Sequence, residues 1–154
     1  MTYQDVLKKI DSILKDTKVA VLATAGRGGL SCAQVCIVND GSNVFFQTGG
    51  GFEKVKNIRE NPYVALSCGN YNFKGLATVT GHPRENKDFI KKYSEKFPVA
   101  YKSFTDLPNE VLVRIVLTEC KIWEIPENVS HKDERLITVN LTNGTIKSDI
   151  LTKN

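Results

Sequence analysis

Histidine is scarce in this 154-residue sequence: only His82 and His131 occur, beside a single tryptophan, Trp123. The four cysteines, Cys32, Cys36, Cys68 and Cys120, form no C-x-x-C pair. A zinc site needs thiolate and imidazole ligands at closer spacing, so no metal site is expected. Each cysteine lies in an apolar run (SCAQVCIV, VALSC, VLTEC), where a free thiol packs as a small hydrophobe. All four are therefore expected to be reduced core residues of a cytoplasmic protein. No run of ~18 apolar residues is present, which excludes a membrane-spanning helix. The start, MTYQDVLKK, lacks an apolar stretch after its first charges and predicts no secretion signal. The N-x-[ST] triplets at Asn128, Asn140 and Asn143 then carry no meaning. Repeats, low-complexity segments and long linkers are also missing, so residues 1–154 read as one domain. A chain of this length can bury roughly 70% of its unfolded surface without disulfide or metal staples.

What charge there is lies unevenly. The formal net charge is +4, yet residues 52–102 hold ten Lys and Arg against five Asp and Glu. Such a local excess attracts a phosphate-bearing partner, whether a small molecule or a nucleic acid. Taken singly, most of these lysines read as solvated helix side chains, Lys87, Lys91, Lys92 and Lys96 among them.

Hydrophobic spacing and turn residues outline the elements. Thr2 and Asp5 make a capping-box pattern, and Val6, Leu7, Ile10, Ile13 and Leu14 recur at helical spacing to about Lys15. Strands are predicted at 19–25, 30–38 and 43–48, with turns at Gly26–Gly29 and Asn39-Asp40-Gly41-Ser42. A helix over 52–61 ends at Asn61-Pro62. Then come a strand at 63–70, a turn at 70–75, a strand at 76–84, a helix at 86–97, an irregular stretch to Pro108 and a long strand at 110–125. Residues 126–154 form a variable tail with strand candidates at 135–141 and 145–151 around the hairpin dipeptide Asn143-Gly144. Tight turns between successive strands imply antiparallel pairing, not βαβ units. The economical solution is a mainly β, α+β fold, a small antiparallel barrel with helices outside.

The chemically informative stretch is Thr48-Gly49-Gly50-Gly51-Phe52-Glu53-Lys54. Its glycines separate a strand end from a helix start, letting the backbone approach a ligand and aim N–H groups at it. The helix N-terminus adds about half a positive charge. Thr48 offers a hydroxyl, and Lys54 can fold back over the same spot, while Lys56 and Arg59 project from other faces. This chemistry suits a phosphomonoester. It is neither a Walker loop nor a dinucleotide fingerprint, because the spacing and the surrounding βαβ unit are missing. On spacing alone, the glycines read equally well as a strand exit that merely starts a helix.

The block from Val19 to Cys68 resembles the pyridoxamine 5′-phosphate oxidase-like, FMN-binding split-barrel family. The features that carry the likeness are Ala23-Thr24 in the first strand, Phe46-x-Thr48, Lys54 six residues on, and Asn61-Pro62-x-Val64-Ala65-Leu66. Gly81 and the strand-ending Trp123 extend it over roughly residues 4–125. The resemblance implies an antiparallel six-stranded split β-barrel with flanking helices, and a homodimer with FMN between subunits. It implies that Thr48 and Lys54 hold the FMN phosphate, with Gly49, Gly50, Gly51 and Phe52 around it. It also implies that Gln34, Val35 and Cys36 pass along the isoalloxazine, and that Gln47 and Trp123 complete the cofactor set.

Departures from the oxidases accompany the likeness. Cys32 and Ile37 stand nearest the oxidases' second-strand Arg and Lys, and Phe52 and Glu53 replace a Ser and an Arg. Counting on from Trp123, His131 falls at the oxidase His, but Val129 replaces the substrate-gripping Arg. The expectation is an FMN-dependent oxidoreductase acting on a small molecule other than pyridoxamine phosphate. A flavin- or haem-binding protein without turnover is the alternative. A single-stranded nucleic-acid binder fits less well, because adjacent Phe45 and Phe46 point to opposite strand faces.

Overall fold

The computed structural model describes residues 1–124 and 134–151. The chain opens with α1 (Tyr3–Asp16), whose capping box is complete: Asp5 N–H donates to Thr2 Oγ1 at 3.1 Å, and Thr2 N–H donates to Asp5 Oδ2 at 2.9 Å. Val6, Ile10 and Leu14 form its buried stripe. Strands β1 (Val19–Gly26), β2 (Gly29–Cys36), β3 (Val38–Asp40) and β4 (Asn43–Gly49) follow, then α2 (Glu53–Glu60). Next are β5 (Tyr63–Cys68), β6 (Tyr71–Gly81), a short 3₁₀ turn at Pro83–Glu85, α3 (Lys87–Lys96) and α4 (Pro98–Phe104). The long β7 (Glu110–Glu124) and the tail hairpin β8 (Arg135–Asn140) and β9 (Thr145–Ile150) complete the described chain.

Every described pairing is antiparallel, in the order β2-β1-β5-β6-β7-β4-β3, and the hairpin adds β8 to β7 and β9 to β8. The sheet is not closed by hydrogen bonds, as in a split barrel. Six long strands (β1, β2, β4, β5, β6 and β7) match the expected barrel, and β3 with the tail hairpin brings the sheet to nine. The two ends of the sheet meet through the chain itself. Ile37, between β2 and β3, is fully buried, and its N–H donates to Lys18 O at 3.1 Å. The main core lies inside the curved sheet, with Leu22, Phe46, Leu66, Phe73, Ile115 and Ile122 packed beneath Ile10 and Leu14 of α1. A second cluster joins Val38 and Leu112 to Phe89 and Tyr93 of α3.

Several local expectations are corrected. Residues 71–75 of the predicted turn are strand. The chain reverses at Gly69, whose φ of 60° suits glycine, and Phe73 then plugs into the core. Gly75 serves packing instead, since a Cβ there would lie 2.6 Å from Ile115 Cγ2. The stretch after Phe97 is not irregular but helical, with Pro98 in the first helical turn, where it needs no N–H partner. Of the four thiols only Cys68 and Cys120 are core residues; Cys36 is half-buried and Cys32 exposed, because alternation on β2 turns the latter outward. Lys96 is not a solvated side chain. It is partly buried, and its ammonium reaches three backbone carbonyls.

Candidate functional site

The end of β4 and the start of β7 form one corner of the barrel, with Thr48 opposite Val111 and Gly49 opposite Glu110. The glycines here answer to close packing. Gly50 N–H donates to Asn109 O at 2.7 Å, and a Cβ on Gly50 would sit 3.0 Å from that oxygen. A Cβ on Gly49 would meet the Phe52 ring at 2.9 Å. Phe52 thus folds back over Gly49 and serves as N-cap of α2 without any side-chain cap. The first N–H groups of α2 consequently lack a side-chain acceptor, the condition under which a helix terminus receives an anion.

Lys54 stands in that first turn. Its ammonium lies 4.5 Å from the centroid of the Phe52 ring, a cation–π contact. Partial burial lowers its pKa, and the nearby Glu110 carboxylate opposes that shift. Glu110 is only 6% exposed, and burial pushes its carboxyl above the usual range. Gln47 partly offsets this by donating from Nε2 to Glu110 Oε2 at 3.0 Å. Thr105 Oγ1 in turn donates to Gln47 Oε1 at 3.0 Å, which fixes the orientation of the amide. The corner borders an open cavity of about 390 Å³ lined by Phe52, Tyr93, Phe104 and Leu107, with Gln47 and Glu110 supplying the polar groups.

Gln47, Thr48, Gly49, Gly50, Gly51, Phe52 and Lys54 are thus gathered at one place. On β2, Gln34 is exposed, Val35 is a core residue, and Cys36 borders the α3 cluster. Burial pushes the Cys36 thiol pKa up. Trp123 lies apart, twelve residues along β7 from the partner of Thr48, a path of roughly 40 Å at the rise of an extended strand. There it is 42% exposed, its carbonyl accepting from Asn70 Nδ2 at 2.6 Å. His82, one of the two histidines, has both ring nitrogens engaged: Nε2 lies 3.0 Å from Leu107 O, and Nδ1 accepts from Arg84 N–H. Val129 and His131 lie outside the described residues.

Two contributors were not foreseen. Asn57 is buried on α2 and donates to Thr24 Oγ1 at 3.1 Å, fastening the helix to β1. Glu110 is the other. Its only sequence signal is that alternation puts it on the same face as Leu112, which is buried.

Residues 6–124 match the family model described as pyridoxamine 5′-phosphate oxidase. The chain belongs to this family. Solved structures of the family fold agree. A Listeria innocua protein assigned by name to pyridoxamine 5′-phosphate oxidase is 22% identical, with a TM-score of 0.62, over 76% of this chain and 97% of its own. General Stress Protein 26 of Bacillus anthracis is 19% identical, with a TM-score of 0.61, over 75% and 91%. HutZ, the haem storage protein of Vibrio cholerae, is 16% identical, with a TM-score of 0.60, over 76% and 91%. At these identities the likeness establishes the fold. No curated protein matches the chain at a significant level. Among the described residues, no helix is long and apolar enough to cross a membrane.

Proposed function

We propose that the chain is an FMN-binding flavoprotein, an oxidoreductase acting on a small molecule in the cytoplasm. The observation that carries this reading is the ammonium of Lys54 beside the uncapped N-terminus of α2. The donor set suits a phosphomonoester: one cation, the positive end of α2 without a side-chain cap, and the Thr48 hydroxyl. FMN, when bound, supplies the electron and hydride chemistry. The residues of this chain hold and orient it, with Lys54 and Thr48 on the phosphate and β2 along the ring system.

The same reading makes the protein a homodimer with the flavin at the subunit boundary. Tyr63, Leu76 and Val116 stand directly opposite one another on β5, β6 and β7, and are 72%, 38% and 41% exposed. This apolar row offers a second copy a surface to cover. Trp123 and Lys54 lie far apart in one chain, so a flavin touching both draws them from different copies.

Pyridoxamine phosphate is not the substrate in this reading. Cys32 and Ile37 supply no cation, and Ile37 is fully buried. HutZ makes haem the natural competitor, yet both nitrogens of His82 are already engaged. The absorbance of the purified protein and its uptake of added FMN test the proposal. A flavin spectrum is expected, with Lys54→Ala weakening FMN binding by about tenfold or more and Lys92→Ala leaving it unchanged. A colourless protein that takes up no FMN, or a red one carrying haem, overturns it.

A further inference from the structure

The cavity beside the glycine loop holds a charge that nothing in the phosphate reading uses. Glu110 is buried at its edge. Among the described residues, its carboxylate receives one hydrogen bond, from Gln47, and no ion pair at contact distance. The fields of His82 and, more weakly, Lys54 reach it, but neither side chain contacts it, and the Lys54 ammonium rests on the Phe52 ring instead. A buried carboxylate supported by a single neutral amide lacks most of the compensation that such a charge requires. Its surroundings are aromatic: Phe52, Tyr93 and Phe104 line about 390 Å³ of space. Ring faces attract cations, and a carboxylate at the same cavity selects an ammonium over a neutral ligand.

We infer that this cavity binds the ammonium group of an organic amine, with Glu110 as counter-ion and Phe52 and Phe104 as cation–π walls. Gln47 is a positioning residue, since its amide is held by Thr105 and points its Nε2 at Glu110. Thr48, Gly49 and Phe52 line this cavity and also belong to the loop that carries Lys54, so the amine would lie next to the phosphate site. The binding step needs no flavin; only the amine's standing as substrate or effector rests on the function proposed above.

Calorimetry on the full chain, without added FMN, tests this with benzyltrimethylammonium, benzyl alcohol and benzoate as probes. The cation is expected to bind, benzyl alcohol to bind about tenfold more weakly or worse, and benzoate not at all. Glu110→Gln should lower the cation's affinity by about tenfold or more. Phe104→Leu, at a half-exposed surface position, should weaken the cation and leave benzyl alcohol unchanged, and it decides the matter if the Glu110 variant fails to fold. Lys54→Met should bind the cation at least as tightly as the parent while losing FMN, which separates this site from the phosphate site. Equal binding of cation and alcohol, no loss in either Glu110→Gln or Phe104→Leu, or a loss in Lys54→Met matching that in Glu110→Gln overturns the inference.

Discussion

The ammonium of Lys96 donates to the carbonyl oxygen of Thr17 across 2.6 Å, tying α3 to the end of α1. It also donates to Ile37 O at 2.8 Å and Leu14 O at 3.3 Å. Two of these carbonyls, of Leu14 and Thr17, belong to the end of α1 and the third to the β2–β3 junction, so one ammonium caps the helix and fixes the place where the two sheet ends meet. Lys96→Met keeps most of the stem and removes the charge. It should destabilise the fold by about 1–3 kcal/mol in urea unfolding, whereas exposed Lys91→Met should stay within about 0.5 kcal/mol. Equal effects of the two variants would contradict this role.

The bond from Asn57 to Thr24 is buried at both ends. Asn57→Ala should cost about 1–3 kcal/mol, because it leaves the Thr24 hydroxyl without its partner. Adding Thr24→Val should recover part of that loss, so the double-mutant cycle should be non-additive. Additive costs would mean that the bond contributes little.

Glu110 makes the stability depend on pH in a definite direction. Burial raises its folded pKa, so the native state holds the proton more tightly than the unfolded chain does. The stabilising contribution is complete below the unfolded value and is lost as pH rises through the folded one. Glu110→Gln should therefore be more stable than the parent near neutral pH, with the gap closing as pH falls toward about 4.3. Melting curves across that range read the difference. A gap that widens on acidification would reverse the assignment.

Leu76 sits at the centre of the exposed row between Tyr63 and Val116. Leu76→Glu places a charge in the middle of the proposed dimer face while leaving the outward-facing strand position intact. Light scattering should report a dimer for the parent and a monomer for the variant. A parent that is monomeric at all concentrations would remove the dimer from the proposal.

Most of the strands were legible because their signals are local. Asn39-Asp40-Gly41-Ser42 and Asn143-Gly144 turn the chain within a few residues, and both flank antiparallel pairs in the structure. The strand exit after Thr48 and the helix start just before Lys54 were legible for the same reason, as a contiguous stretch. The β6 start was missed because Asn70 and Gly75 both look like turn residues. Only the packing of Gly75 against Ile115, from a strand distant in sequence, distinguishes a turn glycine from a close-approach glycine.

The sequence alone determined the order of the elements and their antiparallel pairing, since these depend on periodicity and short-range spacing, and its motifs carried the resemblance to the family. Tertiary structure decided which charges are surface and which are buried. Lys96 and Lys91 look alike in the sequence, yet one faces three carbonyls and the other faces water. Glu110 and Gln47 are 63 positions apart and become partners only when β4 pairs with β7. The energy of a polar side chain depends on its dielectric surroundings and on partners brought from elsewhere in the chain, and local patterning carries neither.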